Sequence, residues 1–131
     1  MDRAEQAVNF HHKGYNCAQA VACAFADKTD LDIKTLFRLT EGFGSGMADT
    51  YGTCGAISGA VVILGLLNST GHINGEPYSK AETYKIVKNM IADFRAKNGA
   101  VICRDLKGID TKKVLRSCDG CIEDSVNILE K

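Results

Sequence analysis

From Cys54 to Leu67 the chain reads CGAISGAVVILGLL. No residue in this stretch is charged, and apolar residues fall on nearly every face of a helix drawn through it. It therefore predicts a buried helix rather than an amphipathic one. Its apolar run, Ala56 to Leu67, covers 12 residues, short of the roughly 20 that a membrane span needs. Thr53 is placed to cap the helix. Gly55 and Gly59 lie four apart, flanked by Ala56, Ser58 and Ala60. That small stripe lets another backbone, or a cofactor, approach closely.

Helix signals dominate on both sides of it. Asp2-Arg3-Ala4-Glu5 has the form of a capping box, and Ala4, Ala7, Val8 and His11 follow on one stripe. Gly14 is suited to end that helix. Asn16 is placed to cap a second helix, Cys17 to Ala26, and Asp32 a third with Ile33, Leu36 and Phe37 inward. Gly42, Gly44 and Gly46 interrupt any helix, so Glu41 to Gly52 reads as a tight loop. Beyond the central helix, Asn68 to Glu76 reads as a loop and Ser79-Lys80-Ala81-Glu82 as a second capping box. The helix after it has Tyr84, Val87, Met90, Ile91 and Phe94 on one face and ends at Asn98-Gly99. Asp110-Thr111 is read as the start of a short helical piece, and Asp119 to Leu129 as the last helix. No period-two alternation is long enough for a sheet. The expected fold is all-α: one domain, residues 1–131, a bundle of five to six helices around a central helix at about 54–67.

Composition narrows the function. The 131 residues carry 16 basic and 16 acidic side chains, so formal net charge is zero. A dedicated nucleic-acid binder needs a basic excess, so no nucleic acid is expected. The start, MDRAEQ, lacks the apolar segment of a secretory signal, and a cytoplasmic location is expected. Ten basic and four acidic residues fall within 80–116. A solvated helix face is the plain reading of that stretch, and docking of an acidic redox partner the sharper one.

Six cysteines in so short a chain are the unusual feature: Cys17, Cys23, Cys54, Cys103, Cys118 and Cys121. In a reducing compartment such a surplus points to metal binding, redox chemistry or buried thiols. Cys17, Cys54 and Cys118 fall at predicted helix starts, where free amides and the helix dipole favour a thiolate. Cys23 lies six residues after Cys17, about 120° away around the helix, and reads as a core side chain. Cys118-Asp119-Gly120-Cys121 is a CxxC, which fits a redox dithiol or half of a metal site. It lacks the βαβ context of a thioredoxin and the second CxxC of a zinc ribbon. His11 reads as a partly buried, satisfied histidine and His72 as exposed; with His12 they are the other soft-metal donors. Gly42-Phe43-Gly44-Ser45-Gly46 lacks the strand and the Gly-Lys-Ser/Thr ending of a phosphate loop.

Five ordered stretches resemble one family. They are Gly14-Tyr15-Asn16-Cys17-Ala18-Gln19-Ala20, Gly42-Phe43-Gly44-Ser45-Gly46-Met47, Cys54-Gly55-Ala56-Ile57-Ser58-Gly59, Cys103-Arg104-Asp105-Leu106, and Cys118 with Ile122 four residues on. Together they are similar to the C_GCAxxG_C_C family of bacterial and archaeal proteins, over about Ala4 to Leu129. The resemblance implies redox activity through Cys17, Cys54, Cys103 and Cys118 as catalytic, cofactor-binding or metal-binding residues. Cys23, Cys121 and the histidines lie outside its pattern.

Three chemistries fit four such cysteines. They can bind a [2Fe–2S] cluster for one-electron transfer, with Gly55 and Gly59 leaving room for the inorganic sulfides. They can exchange thiols and disulfides. They can close a structural zinc site. A helical binding module with ordinary buried thiols is the alternative from another class. A redox partner protein is expected, with no membrane span; a homodimer is left open.

Overall fold

The computed structural model describes residues 1–131. Seven helices and one short left-handed turn, α4, follow in order: α1 Arg3–His12, α2 Cys17–Ala24, α3 Ile33–Thr40, α4 Gly44–Met47, α5 Gly55–Asn68, α6 Lys80–Asn98, α7 Cys103–Lys107 and α8 Cys118–Leu129. There is no sheet. One isolated antiparallel bridge joins Thr53 to Ile102. The expected all-α, single-domain class is what the chain adopts. No helix is long and apolar enough to cross a membrane.

Side-chain caps explain where α1, α2, α3 and α8 begin. Asp2 accepts from the Glu5 amide at 2.8 Å, and Asp32 accepts from the Thr35 amide at 2.8 Å. Asn16 forms a full capping box: its side chain accepts from the Gln19 amide, and the Gln19 side chain accepts from the Asn16 amide, both at 2.9 Å. The second box expected at Ser79 does not form. Ser79 has helical φ/ψ, and its hydroxyl instead accepts from the Thr70 amide at 3.0 Å, anchoring the preceding loop. Cys54, not Thr53, is the N-cap of α5, because Thr53 is held in the bridge to Ile102. Asp110-Thr111 turns without forming a helix.

The core is shared between α2 and α5. In α2 every residue from Ala18 to Ala24 is buried. In α5 the buried residues are Gly55, Ala56, Ile57, Gly59, Ala60 and Ile63, and the end of the helix opens to solvent, with Leu66 41% and Leu67 53% exposed. The two helices cross where Gly59 faces Ala18; a Cβ on Gly59 would collide with the Ala18 carbonyl oxygen. The small stripe on α5 thus admits a backbone at that point. α8 packs against α1, α2 and α5, and α6 covers α5 and α8 with Met90 and Phe94 buried. Tyr84, expected inward, is 67% exposed, because the first turns of α6 run beside the 69–79 loop instead of the core.

Candidate functional site: a five-thiol cavity

Four cysteines stand at helix starts. Cys17 opens α2, Cys54 caps α5, Cys103 opens α7 and Cys118 opens α8. These starts meet around one cavity of about 100 Å³, whose wall carries Cys17, Cys54, Cys103, Cys118 and Cys121. Each start is held by a local device. For Cys17 it is the Asn16 capping box, and Asn16 also donates to the Glu41 carbonyl at 2.9 Å, tying α2 to the glycine-rich loop. For Cys118 it is Ser117, whose hydroxyl accepts from the Gly120 amide at 3.0 Å. Cys54 and Cys103 are brought together by paired backbone: the Cys54 amide donates to the Val101 carbonyl at 2.8 Å and the Cys103 amide to the Gly52 carbonyl at 3.0 Å.

The loop between α3 and α5 forms another wall. Ser45, Gly46, Met47 and Ala48 all have positive φ, 54°, 60°, 62° and 73°, which makes a left-handed turn. For the three residues with side chains this costs about 1–2 kcal/mol each. Gly46 is required in this turn, because a Cβ there would run into the Cys103 side chain and the Gly52 carbonyl. Ser45 and Gly55 reach the cavity; Gly59 lies outside it, against α2.

Two pairs of thiols influence one another most strongly: Cys17 with Cys118, and Cys54 with Cys121. Within each pair the charge is uneven. Cys17, aided by Lys107 and His11 and opposed by burial, lowers Cys118 to about 6. Cys17 is pushed up by Cys118 and by burial. Cys54 is lowered, chiefly by Cys121 and then, against burial, by the Ala56 and Ile57 amides. Cys121 is raised by Cys54 and by burial, and burial raises Cys103. Cys23 lies apart, in the core, with its sulfur 3.6 Å from the Ile33 carbonyl; burial raises it to about 11.

Charged groups frame the cavity. Arg116 and Lys107 line it. Arg116 is fixed by Asp124, a carboxylate only 1% exposed that also accepts from Lys97 at 2.6 Å and Asn98 at 3.1 Å. Burial alone would raise the Asp124 carboxyl, but the bonds from Arg116, Lys97 and Asn98 hold it below the ordinary range. His11 also reaches the cavity and hydrogen-bonds Asp119, while His72 bonds the Gly75 carbonyl in an exposed loop.

The structure thus brings Cys17, Cys54, Cys103 and Cys118 to one wall and adds Cys121, which the sequence motif leaves out. The signal was present: residues three apart on a helix share a side, so a CxxC at a helix start aims both sulfurs toward the same cavity.

No curated protein and no solved structure matches the chain. A family model described as "Putative redox-active protein (C_GCAxxG_C_C)" matches residues 15–131. The match takes in all five cavity cysteines, and the chain belongs to the C_GCAxxG_C_C family.

Proposed function

We propose that this chain is an electron-transfer protein whose five-thiol cavity binds a [2Fe–2S] cluster. Cys17 and Cys118 supply one ligand pair. Cys54 anchors the other, completed by Cys103, which lies in the family motif, or by Cys121, the strongest influence on the Cys54 thiol. When bound, such a cluster takes up and releases one electron at a time.

The observation that carries this reading is the convergence of five cysteines on one cavity, where Cys17 and Cys118, and Cys54 and Cys121, influence one another most strongly. A [2Fe–2S] centre takes two thiolates per iron. A single tetrahedral zinc ion, with bonds of about 2.3 Å, sets all four sulfurs about 3.8 Å apart. The only three metal-donor groups within 4.8 Å of one another are His11, His12 and Asp119, so no three thiols are so gathered. The donor set also suits a negative group: four helix N-termini and Lys107 oppose its charge. Cys54 and Cys118 supply thiolate readily, whereas Cys17 and Cys121 give up protons as metal binds.

A second reading, thiol–disulfide exchange, is favoured by one observation: each pair joins an acidified thiol to a protonated one. Oxidation of a pair forms one S–S bond and passes two electrons and two protons to a disulfide acceptor on the partner.

Anaerobic purification and reconstitution with iron and sulfide test the first reading. Two irons and two sulfides per chain, with broad visible bands, are expected. Loss of those bands in Cys103→Ser but not Cys121→Ser, or the converse, identifies the fourth ligand. A metal-free chain that takes up no iron and loses thiols in pairs on oxidation replaces it with the second reading.

A further inference from the structure

We propose that His11, His12 and Asp119 form a separate binding site for a divalent transition-metal ion, beside the mouth of the thiol cavity. His11 Nδ1 lies 2.8 Å from Asp119 Oδ1, and His12 Nε2 lies 2.7 Å from Asp119 Oδ2. One donor atom from each of the three residues falls within 4.8 Å of the other two. The histidines lie outside the family motif, and the site does not depend on the thiol reading.

The fold builds this cluster from two helix ends. His11 and His12 close the last turn of α1, and Asp119 lies in the first turn of α8, which packs against α1. Adjacent residues on a helix diverge by about 100°, yet both rings turn onto the two oxygens of one carboxylate. A plain helix-end ion pair requires one histidine. Two imidazoles and a carboxylate converging from opposite helices surround a common point.

The donor types and spacing indicate the class of ion. Imidazole suits iron, nickel, copper and zinc, and two histidines with one carboxylate form a three-ligand face with open positions. With bonds of about 2.1 Å, donors at right angles lie about 3.0 Å apart and tetrahedral donors about 3.4 Å. The three donor atoms, gathered within 4.8 Å, need only small side-chain shifts to reach either spacing. Water or a small ligand would fill the positions left free. Because Asp119 follows Cys118, the ion would place positive charge next to the redox thiols.

Cobalt(II) titrated anaerobically into the reduced chain separates this site from the cavity. Cobalt on nitrogen and oxygen gives only weak ligand-field bands, whereas cobalt on thiolate gives intense near-ultraviolet charge-transfer bands. One equivalent of cobalt with the weak spectrum is expected. Its affinity should fall by about tenfold or more in both His12→Ala and Asp119→Asn, with any thiolate bands unchanged. His12 is exposed and Asp119→Asn conserves shape, so circular dichroism should show both variants folded. Unchanged cobalt affinity in both variants overturns the site, as does bound cobalt that shows thiolate bands alone. Failure of the cluster reading leaves either result untouched, since that reading is judged by iron and sulfide content.

Discussion

Cys54, at the start of α5, and Cys121, in the first turn of α8, line the same cavity, and Cys121 is the strongest influence on the Cys54 thiol. A cysteine outside the family motif thus faces the motif's central one. The two meet because α8 packs against α5, with Ile122 and Val126 buried in the core. This arrangement divides the six cysteines by position: five face the cavity, and Cys23 does not.

Substitution should separate these two groups. Cys54→Ser should abolish metal loading or redox response while the fold survives, since Ser conserves volume and suits an N-cap. Cys23→Ser should leave that signal intact and lower stability by about 1–2 kcal/mol, since it buries a hydroxyl whose one evident partner is the Ile33 carbonyl. Iron content, thiol titration and thermal melts on the two variants check both outcomes. Equal loss of signal in the two would refute the division.

Thiol reactivity should depend on pH in an unusual range. Cys118 is lowered to about 6, chiefly by Cys17, so above that pH the pair holds one thiolate. In the reduced, metal-free chain, one thiol should be alkylated by iodoacetamide with a rate that rises as pH increases through about 6. An ordinary cysteine shows that rise near about 8.5. Cys118→Ser should remove the low-pH phase and, by removing the neighbour that raises it, bring the Cys17 thiol down toward the ordinary range.

Asp124 should govern stability on the acid side. Its carboxyl is held below the ordinary range in the fold, so its contribution is fully present above about pH 4. That contribution is lost as pH falls through the folded value. Asp124→Ala removes the bonds to Arg116, Lys97 and Asn98 and should cost on the order of 3 kcal/mol at pH 7. Chemical denaturation between pH 3 and pH 7 should show a flatter acid-side slope for the variant.

Gly59→Ala tests the crossing of α2 and α5. The added Cβ meets the Ala18 carbonyl oxygen, which is backbone and has no rotamer to move aside. The helices must separate, at a cost of about 1–3 kcal/mol or more. Because Ala18 adjoins Cys17, metal loading or thiol pairing should weaken along with the melting temperature. Gly65→Ala, in the same helix and with nothing within 4 Å of its Cβ, is the matched control: it should leave the thiol signal unchanged and raise the melting temperature slightly, since Ala favours a helix by about 1 kcal/mol over Gly.

The sequence by itself determined the helices and much of what starts them. Asp2, Asn16 and Asp32 were legible as caps because capping is local: a side-chain oxygen and an amide three residues on. The same locality put Cys17, Cys54 and Cys118 at helix starts, and the uncharged run after Cys54 marked the central helix. Ser79 misled because its hydroxyl is taken by Thr70, nine residues back. Cys103 had no local signal: α7 has five residues, and its place depends on the Thr53–Ile102 bridge between segments 49 positions apart. The pairing of thiols was likewise decided only by tertiary structure. Which sulfur meets which depends on how α8 docks on α1, α2 and α5, and that docking is set by buried surfaces far apart in the chain. The cluster of His11, His12 and Asp119 has the same origin, since 107 residues separate His12 from the carboxylate it meets.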